Sequence, residues 1–356
     1  MIDGIAEKIK KMESRKAEFG KQVRENSSSL VQDSDFFLED EIISQVSREK
    51  LDGIEIIGID GGIVKEELVG ADVVLTRAVA ACFNFEDGKL SSSKYVPNRN
   101  PDPEPHVYEG LDRREFRVIS SLLRVKKEAE LVLNVLKRDP EVVLMDGSIV
   151  PHNSDKPSKG SQAYEVYKEV LEIYEKIYSE AHKRGVLLAG IVEDSRDRKV
   201  CNSLKNCVDS EKYQELFSKT RDLDLIEKFL EKGERTSVMR YSKEEENHPI
   251  LSDLDFKGNA RTFYMRTAEN DLPVKIDFLY GEKSEVNISA LANQIAEKVL
   301  PISTFNRNYG IPSVIIEADQ RAKLGKKHIS SLKRDLRSQV GDSSIFKDLR
   351  RNRRPF

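Results

Sequence analysis

Apolar positions along this chain follow two different rhythms. Up to about residue 50 they are sparse, with Ile5, Ile9 and Met12 forming a narrow stripe at helical spacing among charged residues. That pattern predicts a polar helical segment that makes no core alone and packs on the body or on a partner. From Leu51 the rhythm shortens. Residues 55–60 (Glu-Ile-Ile-Gly-Ile-Asp) predict a buried strand, with Gly61-Gly62 as a turn. Residues 69–85 hold Val73, Val74, Leu75, Val79, Cys82 and Phe83 and predict one or two further strands, so an antiparallel meander opens the body. Residues 91–109, with Pro97, Pro101, Pro103 and Pro105, predict a covering loop.

A helical period then takes over. Residues 111–137 place Ile119, Leu122, Leu123, Leu131, Leu133 and Leu136 on one face, and Pro140 ends that helix. A strand over 141–149, a helix over 160–184 stopped by Gly185, and a strand over 186–192 follow, the last running into Glu193-Asp194-Ser195-Arg196. Residues 201–258 are charged, irregular and partly helical, and read as an insertion. A hairpin is predicted from 261–266 and 274–280, a helix over 291–299, and a last element from 314–319 that continues into a C-terminal helix. Strands, then helix, strand, helix and strand is the order of an α/β fold of ribonuclease-H-like type, a mixed sheet flanked by helices. The predicted division is a helical N-terminal extension over 1–50, a main domain over 51–330 carrying the 201–258 insertion, and a basic helix or tail over 331–356.

Composition narrows the class. A chain of 356 residues accommodates one large core with appendages, or two domains. No apolar run reaches the roughly 20 residues needed to span a bilayer, and the charged N-terminus lacks a secretory h-region, so no membrane contact and a cytoplasmic location are expected. Cys82, Cys201 and Cys207 make neither a disulfide framework nor a zinc quartet. A net charge of −3 gives no global basic field, yet basic residues gather at 323–328 and 347–354, which suits a local phosphate-contacting surface.

The candidate chemistry is acidic. The strand ending at Asp60-Gly61 is echoed by Leu144-Met145-Asp146-Gly147-Ser148. Asp-Gly is also a common turn dipeptide, so either aspartate alone reads as well as a turn. Together with Glu128 on the long helix, with Glu130 as its alternative, and a fourth group from Asp194 or Asp319, they make a set of hard oxygen ligands. Such ligands suit Mg²⁺ or Mn²⁺, and two ions can serve phosphodiester displacement. Five histidines form no recognisable pair, and no Walker A, dinucleotide fingerprint or serine elbow is present.

These motifs, taken in order, resemble the NurA nuclease family, archaeal and bacterial enzymes that partner the HerA DNA translocase. The resemblance rests on residues 58–62, the helix with Arg124 and Glu128, residues 144–148, residues 188–196, residues 263–266, and Tyr309-Gly310-Ile311-Pro312 leading to Glu317-Ala318-Asp319. It implies a ribonuclease-H-like homodimer enclosing DNA. The implied activity is Mn²⁺-dependent cleavage of single- and double-stranded DNA, including 5′-to-3′ exonuclease action, in end resection and recombinational repair. It also implies Asp60, Glu128, Asp146 and Asp319 as metal ligands for two Mn²⁺ ions, with Mg²⁺ as the alternative metal, and Tyr309 as an active-site tyrosine. Asp319 stands where many members carry histidine. Glu193 stands where many carry lysine, a loss for which Arg196 or Lys199 is the available compensation. Two rival readings are an RNA-directed nuclease on the same fold and a catalytically decayed DNA-binding adaptor of the translocase.

Overall fold

The computed structural model describes residues 2–32, 34–207, 211–256, 259–281, 287–341, 347 and 349. The chain opens with α1 (Ile2–Glu25), α2 (Ser27–Gln32) and a short β1 (Ile43–Gln45). The body follows as β2 (Ile54–Glu67), β3 (Asp72–Glu86), β4 (Lys89–Val96), β5 (Glu104–Tyr108), α3 (Arg113–Leu136), β6 (Val142–Asp146), α4 (Ala163–Arg184) and β7 (Leu187–Val192). The strands run β4-β3-β2-β6-β7 across the sheet, with β3 antiparallel to both neighbours and β6 and β7 parallel to β2. With β5 set aside, since it lies off this path and pairs only with β3, the order counted along the body is third, second, first, fourth, fifth. This is the ribonuclease-H-like arrangement, as the order of elements predicted.

Helices cover both faces. Ile57 and Ile59 of β2 point into a core shared with α3 and α4, while Ile56 enters a second core on the opposite face. There it meets α8 (Ile288–Ile302) and α9 (Ser313–Ala322). Alternation along a strand sends neighbours to opposite faces. Each such buried aliphatic side chain contributes about 1.5–3 kcal/mol, so the strand is pinned in register from both sides.

Three local expectations are corrected. Gly61 and Gly62 do not turn the chain: β2 continues to Glu67 and pairs with β3 from Ile54↔Phe85 to Glu67↔Asp72. Of the one or two strands expected over 69–85 there is one, because β3 keeps its hydrogen bonds to β2 throughout. The predicted loop at 91–109 contains β4 and β5, with Pro97, Pro101 and Pro103 between them. Pro105 is tolerated in β5 because that strand lies off the main path of the sheet, paired only to β3. The last element breaks at Leu324-Gly325 into α9 and a separate α10 (Lys326–Val340).

The 201–258 region is more regular than its charge suggests. It forms α5 (Lys199–Cys207), α6 (Glu211–Lys219), α7 (Asp222–Ile226), β8 (Glu234–Thr236) and β9 (Met239–Arg240). The predicted hairpin is present as β10 (Ala260–Met265) and β11 (Val274–Leu279), and it joins β7 through β11. β8 and β1 extend the same sheet beyond β10. A third core places Phe19 and Val23 of α1 against Leu204, Phe217 and Phe229. The N-terminal half of α1 stays outside it, with Ile2, Ile5, Ile9 and Met12 exposed. No described helix is long and apolar enough to cross a membrane. The basic stretch at 347–354 lies outside the described residues apart from Lys347 and Leu349.

Candidate active site

The two aspartates meet because their strands are parallel neighbours. The β2–β6 ladder ends at Ile59↔Met145, so Asp60 and Asp146 follow side by side. β6 stops there. Gly147 takes φ 89°, a conformation that side-chain-bearing residues rarely adopt, and its N–H donates to the Ile191 carbonyl at 2.8 Å. The turn then crosses β7 at Gly190, where a Cβ would run into the Gly147 carbonyl and Ser148. Asp60 itself is not at a strand end as predicted. It sits in mid-strand, where β6 has just ended and left that edge open.

Glycines also admit the partners from both faces. A Cβ on Gly61 would collide with the Glu128 carboxylate, so α3 can bring that side chain against β2 only because residue 61 is glycine. On the other face, Cβ atoms at Gly58 and Gly62 would meet the backbone of Val314 and the Ala322 carbonyl. α9 therefore lies directly on β2 and carries Asp319 to the Asp60 side. The apparent turn dipeptide is a docking groove.

The electrostatics are those of crowded acids. Asp60 and Glu128 are both 5% exposed. The Asp60 and Asp146 carboxyls interact directly. Burial pushes both above the usual carboxylate range, helped at Asp60 by the charge of Asp319 and at Asp146 by Asp60 and Glu193. Glu128 is pushed up to about 8, chiefly by burial and further by Asp60 and Asp146, against the pull of Arg124. Arg124 hydrogen bonds to Glu128 one helical turn away and faces all three acids. Glu130 is exposed on the far side of α3 and pairs with Lys126 at 4.0 Å.

Tyr309 arrives on a turn between α8 and α9. Its hydroxyl donates to Glu193 Oε1 at 3.3 Å, and burial and the nearby charges of Glu193, Asp319 and Asp146 push it up to about 12. Gly310 is held by Asp271, whose Oδ2 accepts from its N–H at 2.6 Å, and by Thr267, whose hydroxyl donates to its carbonyl at 2.6 Å. The β10–β11 turn thus aims the tyrosine. Asp194 is exposed beside Glu193 and contributes charge to it. Lys199 turns away: its ammonium donates to the Tyr241 carbonyl at 2.5 Å and lies 3.6 Å from Asp197. Arg196 is exposed.

Two members of this site escaped sequence reasoning. Glu193 reads from sequence only as a missing lysine, although the register Asp146↔Ile191 places it two residues beyond the partner of Asp146, just past the end of β7. Asp271 was an anonymous residue of a polar turn.

As the side chains stand, no three His, Cys, Asp or Glu among the described residues are arranged to hold an ion. Arg124 draws Glu128 to itself, and burial favours the protonated forms of Asp60 and Asp146. The donor set nonetheless fits a hard divalent cation: carboxylates raised chiefly by burial and further by one another's charge, with a glycine beside them where a side chain would block approach. The exposed Lys323, Lys326 and Lys327 lie at the α9–α10 junction, next to Gly62 and two residues from Asp60 along β2.

The NurA domain family matches residues 54–324, most of the chain. The crystal structure of the NurA nuclease from Sulfolobus solfataricus is similar with a TM-score of 0.57 at 16% identity, over 96% of this chain and 99% of that one. A NurA crystal structure with manganese gives 0.51 at 12% identity, over 95% and 98%. One with dAMP and manganese gives 0.51 at 12% identity, over 92% and 95%. At these identities the structural likeness concerns the fold. No curated protein matches the chain.

Proposed function

The chain belongs to the NurA family, and on that premise we propose that it is a Mn²⁺-dependent deoxyribonuclease, cutting single- and double-stranded DNA from 5′ ends and internally. The observation that carries the reading is the meeting of Asp60, Asp146 and Glu128 from β2, β6 and α3 around glycines that leave room beside them. The manganese and dAMP held by related NurA crystal structures support the same substrate and metal class.

Asp60, Glu128, Asp146 and Asp319 would hold the cations, two in number. When bound, Mn²⁺ supplies an acidified water and neutralises phosphate charge. The chain's own residues do the remaining work. Asp60, Asp146 and Glu128, whose burial favours their protonated forms, would be deprotonated when they hold the cations. Arg124 balances the acids while they are uncompensated. Tyr309 orients a substrate oxygen or water with its hydroxyl, itself steered by Glu193 and the Asp271-anchored turn.

We further propose that the protein acts as a homodimer with a HerA-type translocase in end resection. The exposed stripe of Ile2, Ile5, Ile9 and Met12 is the feature that supports a docking role for residues 1–50. Residues 51–330 form the nuclease domain in this reading, with 331–356 a basic extension. A DNA-binding adaptor is the second reading, favoured by Glu193, which adds negative charge where an approaching phosphate needs less.

Labelled DNA and RNA oligonucleotides incubated with Mn²⁺, Mg²⁺ or EDTA separate the readings. Mn²⁺-dependent loss of DNA is the expected result. Preferential loss of RNA would indicate 2′-hydroxyl recognition. DNA binding without cleavage under every metal would leave the adaptor.

A further inference from the structure

Beside the acids lies an apolar groove that the chemistry above does not use. Its volume is about 280 Å³, and Phe83, Phe305, Tyr309, Ile311, Ile316 and Glu317 line it. Phe305 is 76% exposed, although large aromatic side chains are normally well buried. Its turn is rigidly held. An antiparallel bridge joins Asn306 to Tyr309, the Asn270 N–H donates to the Arg307 carbonyl at 2.9 Å, and the Asn270 side chain donates to Asn308 Oδ1 at 2.9 Å. Arg307 also pairs with Glu269. A phenylalanine held in water on a fixed turn, sharing a groove with an active-site tyrosine, is placed to receive something flat.

Resting on the nuclease reading, we infer that this groove is a base-stacking subsite, in which Phe305 takes an unpaired nucleobase of the DNA strand whose backbone enters the acidic centre. Three observations favour a base over other occupants. The groove is continuous with the site through Tyr309, whose hydroxyl reaches Glu193. Its other rim is Glu317, which accepts from the Tyr95 hydroxyl at 2.8 Å and from Arg321 at 2.6 Å. The Arg99 and Arg321 guanidinium groups lie over the Tyr95 ring at 5.8 and 5.5 Å, bringing positive charge to that rim for a phosphate backbone. Aromatic faces flanked by cations are the means by which proteins hold single strands without reading sequence. The subsite takes any base, and it requires that base to be unstacked from its partner strand.

The test uses the full-length protein in EDTA, so that the strand survives, with a single-stranded oligonucleotide carrying 2-aminopurine. Phe305→Ala is expected to weaken binding about 5- to 100-fold and abolish quenching of the probe, while Phe305→Tyr restores both. An abasic residue at the probe position should erase the difference between wild type and Phe305→Ala. Equal affinity and quenching for wild type and Phe305→Ala would overturn the subsite and leave the nuclease reading intact. A Phe305→Ala change in oligomeric state at unchanged DNA affinity would assign the groove to a second copy instead. A wild type that neither binds nor cuts DNA would remove the nuclease reading and this inference with it.

Discussion

Replacing Glu128 with glutamine should stabilise the metal-free protein at alkaline pH while removing its metal site. In the folded chain Glu128 keeps its proton up to about pH 8, against an ordinary value of 4.5. Between those values the folded state binds more protons than the unfolded chain. The stability associated with this proton is therefore complete below the unfolded value and is lost as pH rises through the folded one. At about 1.4 kcal/mol per pH unit, the loss reaches about 3 kcal/mol by pH 7 and about 5 kcal/mol above pH 8. These figures already include the opposing pull of Arg124. Glutamine fills the same volume and never ionises. Urea unfolding in EDTA should show wild type and Glu128→Gln alike near pH 5, with the variant more stable by about 2–5 kcal/mol at pH 8.5. Saturating Mn²⁺ should reverse that order, because the ion stabilises only the chain that binds it. A variant less stable than wild type at pH 8.5 in EDTA would refute the reasoning.

Other consequences follow from the same geometry. Mn²⁺ binding needs Asp60, Asp146 and Glu128 deprotonated, and burial raises all three, so affinity measured by calorimetry should rise with pH to about 8, with protons released. Gly61→Ala should weaken Mn²⁺ binding by pushing Glu128 aside, whereas Gly62→Ala, which strikes the Ala322 backbone, should chiefly lower the melting temperature. Buried Lys275 lies 2.9 Å from Asp197 and 3.2 Å from Asp277. Lys275→Met should therefore destabilise by about 3–5 kcal/mol in urea titration, and adding Asp277→Leu should recover part of the loss.

The central fold was legible because both of its signals are local. Strand periodicity around Ile56 and Leu144 and helical periodicity around Leu122 each depend on a few residues, and their order restricts the topology. The turn at Gly61-Gly62 was misread because glycine signals two different needs, a reversal of the chain or a close approach by another element. The positions of α3 at Gly61 and of α9 at Gly62, the latter some 250 residues later, decide between them. The regular structure of 199–240 was hidden for a related reason, since its apolar positions share one core with Phe19 and Val23 of the distant α1. The aspartates announced themselves through a repeated motif. Glu193 and Asp271 did not, because their roles come from the β6–β7 register and from the contact of two distant turns.

The most direct test compares wild type and Asp60→Ala in Mn²⁺ on 5′-labelled DNA, with circular dichroism confirming that both are folded. The account predicts steady shortening of the strand by wild type, none in EDTA, and no detectable product from the variant. Cleavage by Asp60→Ala at the wild-type rate would place the chemistry somewhere other than this cluster of acids.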